Sequence, residues 1–419
     1  MPKQSNTSES AAAKKTPLRV LMLTWEFPPR VVGGLARHAG ELSLALAKSG
    51  VEVAVITAHT PGSSAVEQLW PKRKSDKPGS LIVHRTLPEA IHPIDFISSI
   101  HQLNFALLQQ YLSLGKNFDL VHAHDWLVGQ AAWTLKQGLG LPLVGTIHAT
   151  ERGRHHGIFN ALQSYINAQE WLLTYEAGKV ICCSQFMAEE LKGGLKVPQE
   201  KIRVIPNGVE VDRLKVPERL KPGLVEFRTW WAGEHEKIVL FVGRMVREKG
   251  ADVIIEAMPK VIAGWPNVKF VLVGGGASRH LWARAHALGV SSRLHIPGYV
   301  SEDDLVRLYR VADVAVFPSL YEPFGIVALE AMATGVPVIT SDIGGFREVV
   351  RPGENGLHTW ANNPDSLAWG ILDVLRDPQT AQVRAARAEK EVRRDFTWDK
   401  IAAQTLAVYQ ELLPAKKRK

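Results

Sequence analysis

Short, almost continuously apolar runs alternate along this chain with amphipathic stretches, and that alternation limits the fold more than any other feature. In the first half the runs cover residues 18–25, 51–58, 80–86, 119–125, 141–149, 179–184 and 202–208. Several are apolar nearly throughout and rich in Val and Ile, as parallel strands buried on both faces must be. Between them lie helical patterns such as 36–49, which stops at Gly50, a residue suited to the left-handed turn that ends a helix. After Gly208 the alternation pauses through a segment holding Pro217 and Pro222, then resumes at 237–244, 268–276, 293–300, 313–320 and 336–345. The pattern predicts an α/β protein of two doubly wound, Rossmann-like domains, spanning residues 17–208 and 237–395, with a linker over 209–236. Residues 396–414 read as one amphipathic helix with Thr397 at its N-cap, and residues 1–16 as a disordered tail. Two such sheets placed face to face enclose a cleft at their carboxyl ends, where ligands bind in such folds.

Composition narrows the class. The chain has 419 residues, enough for two full cores, and no apolar run reaches the roughly 18–20 residues that span a bilayer. The N-terminus lacks the apolar core of a secretory signal, so the expectation is a cytoplasmic protein. The formal charge of +8 is concentrated at the ends: residues 1–16 carry a net +2 and Lys416 to Lys419 add +4, leaving +2 for the body. So even a body argues against a nucleic-acid partner. Cys182 and Cys183 are neighbours, and neighbours in a strand point to opposite faces, so they read as reduced core thiols.

Five stretches could carry chemistry. In YEPFGIVALE (321–330), Pro323 and Gly325 precede a helix whose free amides and positive end suit an anion. Glu330 lies five residues in, roughly 7–8 Å along the axis, about the distance from a nucleotide's diphosphate to its ribose hydroxyls. Glu322 precedes the helix; a plain helix start with two flanking carboxylates fits the same residues. In GRMVREKG (243–250), Arg244 and Lys249 could clamp a diphosphate, one by a planar fork and one as a point charge, or could be solvated loop charges. It is not a P-loop, since the closing Gly-Lys-Ser/Thr is missing. Gly33 and Gly34 sit between the first strand and first helix, in a phosphate-compatible turn or a plain tight one. His122 and His124 share a strand face, His148 ends a strand, and His155 and His156 follow. They read as core or cleft histidines, with no metal site expected and no Asp-x-Asp in the chain. Trp126, after Asp125 at a strand end, could stack on a sugar or cap the core.

In this order, the residues resemble the retaining GT-B glycosyltransferases of family 4, with features of bacterial glycogen and starch synthases. The likeness runs from about residue 17 to 414. It is carried by the first loop and helix (26–57), VIPNGVEVDRL (204–214), VGRMVREKG (242–250), EPFGIVALEAMATGVPVI (322–339) and the terminal helix. The resemblance implies that Arg244 and Lys249 bind the donor diphosphate, Glu330 the ribose hydroxyls and Glu322 the transferred sugar. It further implies that Phe324, Gly325, Ile326 and Val327 belong to the donor-binding motif, that Gly33 and Gly34 approach from the opposite domain, and that the backbone at Tyr299 and Val300 meets the base. His148 matches a histidine that contacts the donor sugar, and Asp125 and Trp126 match an acceptor-side stretch.

The activity implied by the resemblance is that of a retaining, metal-independent hexosyltransferase without a cofactor. It would move glucose from ADP-glucose or UDP-glucose to a carbohydrate acceptor, an α-glucan first. A lipid or small acceptor is the alternative, with peripheral membrane contact through the basic loop 71–78 and the terminal lysines. A glycan-binding protein on an inactive scaffold is a third reading, disfavoured by the intact charged residues. Nothing in the sequence sets an oligomeric state. One departure stands out: where glycogen synthases carry Lys-x-Gly-Gly, this chain has Val31, Val32, Gly33 and Gly34, with Arg30 one step away.

Overall fold

The computed structural model describes residues 17–70, 79–87 and 95–413. The terminal tail 1–16, the basic loop 71–78 and Lys416 to Lys419 lie outside them.

The first sheet has eight strands: β1 (Arg19–Thr24), β2 (Glu52–Ala58), β3 (Val66–Trp70), β4 (Ser80–Thr86), β5 (Leu120–His124), β6 (Leu143–Ile147), β7 (Lys179–Cys182) and β8 (Ile202–Val204). They run in the order β3-β4-β2-β1-β5-β6-β7-β8, all parallel except β3 against β4. The second sheet is wholly parallel, in the order β11-β10-β9-β12-β13-β14. Its strands are β9 (Lys237–Val242), β10 (Val268–Val273), β11 (Leu294–Gly298), β12 (Val314–Phe317), β13 (Val338–Ser341) and β14 (Leu357–Thr359). In each sheet the chain reverses its direction of winding beside the first strand, β1 or β9, and the loops leaving those two strands face the crevice that such a switch point creates.

The strands are shorter than the apolar runs that announced them. The surplus residues, Trp25, Gly243 and Gly274 among them, pass the strand ends and line the space between the sheets. β3 and β14 were not legible in the sequence. β3 is a half-exposed antiparallel edge with a register shift between Gln68 and Trp70, so it lacks the continuous apolarity of its neighbours.

Three helices matter for the site: α1 (Gly34–Lys48), α2 (Ile326–Ala333) and α3 (Trp398–Leu412). α3 packs on α1, burying Trp398, Ile401 and Tyr409 in the core of the first sheet. Thr397 does occupy its N-cap, but the side chain accepts no hydrogen bond from the helix. The segment 209–236 is not plain linker: it holds the helix Leu224–Thr229, whose buried Phe227 ring lies 4.0 Å under the Arg307 guanidinium. Cys182 and Cys183 are buried free thiols, and burial pushes the Cys182 thiol up to about 12. Among the described residues, no helix is long and apolar enough to cross a membrane.

Candidate active site

Between the two sheets lies a cleft of about 860 Å³, lined from both sides. On the second-domain wall, Gly325 has φ +104°, and a Cβ there would overlap the Phe346 ring, so the turn into α2 demands glycine. Intrahelical bonds begin at Ala328, which leaves the amides of Ile326 and Val327 at the cleft. Phe324 is buried behind them. Tyr299 and Val300 close one end of this wall, the Tyr299 ring 74% exposed.

The charged residues of this wall are already paired. Lys249 Nζ donates to Glu322 Oε2 at 2.7 Å, and Arg244 Nη2 to Glu248 Oε1 at 3.0 Å. Glu330, 1% exposed, accepts from Arg213 Nη2 on Oε1 at 2.8 Å and from Arg37 on the same oxygen. Its Oε2 is buried and unpartnered among the described residues.

The opposite wall is built on the turn from β1 into α1. Val32 and Gly33 donate their amides to Glu26 Oε2 at 2.6 and 3.1 Å, so a buried carboxylate shapes the glycine turn. Burial raises the Glu26 carboxyl above its ordinary range, and the two amides oppose that rise. A Cβ on Gly34 would stand 3.2 Å from Ile326 Cδ1, so this loop meets the start of α2 across the cleft. The Arg30 guanidinium, one step from the departure at Val31, lies over the Trp25 ring at 4.7 Å.

His148 lines the cleft floor. Its backbone amide donates to Asp125 Oδ1 at 2.8 Å. Asp125 has φ +61° and ψ 168°, a sparsely populated backbone state for a residue with a side chain, held by the structure around it. Burial pushes its carboxyl up to about 6, against the pull of the His148 amide and Arg154. Trp126 is not among the residues lining this cleft; its indole stands edge-on to Phe96 and Tyr165 at 6.2 and 6.4 Å. His122 is a core residue, bonded to Tyr409 Oη at 2.7 Å and Thr146 Oγ1 at 2.6 Å.

Arg244, Lys249, Glu322, Gly33, Gly34, Asp125, His148 and the Phe324–Val327 run thus border one cleft, whereas Glu330 lies buried behind its lining and is held by Arg37 and Arg213, which do line it. The motifs alone did not point to Glu26, Arg37, Arg213 and Glu248, which shape or pair its charged groups. Glu26 and Glu248 stand inside the glycine-turn and Arg244–Lys249 stretches, so their position was visible although their partners were not. Arg37 and Arg213 likewise stand inside the stretches 26–57 and 204–214, but their shared partner was not visible, because they meet Glu330 only once the domains are assembled.

Two family models cover most of the chain: "Glycosyltransferase Family 4" matches residues 32–213 and "Glycosyl transferases group 1" residues 226–391. An uncharacterised glycosyltransferase of Methanocaldococcus jannaschii is 36% identical over 94% of this chain and 98% of its own. A glycogen synthase of Mycobacterium tuberculosis is 34% identical over 94% of each. Among solved structures, a sucrose-phosphate synthase from Thermosynechococcus elongatus superposes with a TM-score of 0.79 and 26% identity, covering 94% of this chain and 99% of that one.

Proposed function

The chain belongs to the group 1 glycosyltransferases and has their two-domain GT-B fold, and on that premise we propose that it is a retaining, metal-independent hexosyltransferase that lengthens an α-glucan with glucose from a nucleotide-diphospho-sugar. One observation carries the donor half. The loop bearing Arg244 and Lys249 and the amide end of α2 converge on one cleft wall, with Glu330 five residues into that helix. Breaking a sugar–phosphate bond leaves positive charge on the anomeric carbon and negative charge on the diphosphate. In this reading, Arg244, Lys249 and the free amides of α2 compensate the departing diphosphate. Glu330 Oε2 takes a ribose hydroxyl, and Glu322 meets the sugar while fixing Lys249.

In the same reading the acceptor enters on the Asp125 and His148 side and attacks from the face the leaving phosphate occupies, with that phosphate receiving the acceptor's proton. Asp125 sets the position of His148 through the backbone. Support for a glucan acceptor comes from the relative named glycogen synthase. The likeness to a sucrose-phosphate synthase supports a second reading, a small phosphorylated acceptor.

The test pairs UDP-, ADP- and GDP-glucose with glycogen, maltooligosaccharides, sugar phosphates or liposomes, and follows nucleotide release with and without chelator. Glucan-dependent release that survives chelator, with the α-anomer seen by NMR, is the expected result. Release only with a sugar phosphate or liposomes overturns the glucan assignment, a β-product overturns retention, and loss of activity in chelator overturns metal independence.

A further inference from the structure

The imidazoles of His38, His124 and His148 each bring one nitrogen to within 4.8 Å of the other two, although they come from α1, the end of β5 and the residue after β6. His124 Nδ1 and His148 Nε2 are 3.1 Å apart. Two nitrogens of a tetrahedral metal site stand about 3.3–3.4 Å apart, given metal–nitrogen bonds of about 2.0–2.1 Å. His38 Nδ1 lies 2.7 Å from Asn207 Oδ1. An amide oxygen only accepts, so His38 carries its proton on Nδ1 and its Nε2 keeps a lone pair. That Nε2 is buried without a partner among the described residues.

An imidazole held by an oxygen at one nitrogen and turned towards a shared point with the other is how metal-ligating histidines are fixed. His122, the fourth ring of the stack, has both nitrogens occupied and does not join. The donor set is all nitrogen, which suits zinc, cobalt, nickel or copper and not magnesium or calcium. Because His148 also lines the cleft, a metal held by these rings would engage a residue that borders the space where the sugar would lie.

We propose that His38, His124 and His148 form a transition-metal site of the zinc type at the cleft floor, and that metal bound there blocks sugar transfer by withdrawing His148. The site stands on geometry alone; the inhibition rests on the proposed transfer reaction. The metal is an inhibitor in this scheme, since the diphosphate is compensated elsewhere by Arg244, Lys249 and α2.

The full chain, untagged and stripped with chelator, is titrated with cobalt(II) alone. The expected result is one equivalent bound with the intense visible bands of a tetrahedral ion, displaced by zinc, and lost in both His38→Gln and His148→Ala. Circular dichroism establishes that each variant is folded, and a variant that is not is replaced by Asn207→Ala, in which the bands weaken because His38 is no longer held. Absent bands, or bands unchanged in the folded variants, overturn the site. Zinc at one equivalent should lower nucleotide release at least tenfold in the wild type and leave His38→Gln unaffected; equal sensitivity of both overturns the inhibitory role. Metal-free wild type that transfers no sugar from any donor refutes the transfer reading, while the cobalt spectrum still decides the site.

Discussion

Arg213, from the segment between the domains, and Glu330, from the second domain, are joined at 2.8 Å around a carboxylate that is almost wholly buried. A buried carboxylate deprived of one cation costs more than the pair contributes when intact. Arg213→Met should therefore lower unfolding stability by about 1–3 kcal/mol, with Arg37 limiting the loss. Adding Glu330→Gln should restore most of it, as a urea-denaturation double-mutant cycle would show. An unchanged midpoint in the single variant would remove the pair from the stability of the cleft.

Lys249 is anchored by Glu322 at 2.7 Å, beside the amide end of α2. If it compensates the leaving diphosphate, Lys249→Ala should cut kcat by about 10²–10³ and leave the circular dichroism spectrum unchanged. Turnover like that of the wild type would sink the phosphate-clamp assignment.

Gly325 combines φ +104° with contact against Phe346. Gly325→Ala should cost about 1–3 kcal/mol of stability in backbone strain, before any displacement of the ring. Because the strain falls at the first turn of α2, UDP or ADP should also bind more weakly by calorimetry. A variant with the wild-type melting temperature and nucleotide affinity contradicts both expectations.

Glu170 is buried, accepts the Glu151 amide at 2.8 Å on one oxygen and has no partner on the other among the described residues. Burial pushes its carboxyl from the ordinary 4.5 up to about 8. Between those values the folded chain holds a proton that the unfolded chain has released, so stability falls as pH rises through this window and is fully retained below it. Glu170→Gln should flatten that decline, gaining on the wild type at pH 8–9 relative to pH 5 in denaturant melts. A pH profile identical to that of the wild type would show that Glu170 is ionised in the fold.

The sequence made the two sheets legible because buried parallel strands leave an unbroken apolar signature, and Gly325 marked the start of α2 because proline and glycine punctuate the backbone there. It did not reveal β3, whose half-exposed edge has no such signature. His38 was invisible as a neighbour of His124 and His148 for a related reason. Its place is set by how α1 lies across the sheet, and no local spacing encodes that. Arg37 was hidden in the same way, one turn into α1, with its partner in the other domain.

The polypeptide crosses between the domains twice, and the crossings touch: the Val209 amide donates to the Phe396 carbonyl at 2.8 Å. Bonded side by side, the two crossings form a double tether, so any change of angle between the domains would have to turn both together. Arg213, just past Val209, and His38, against Trp398, stand beside that tether.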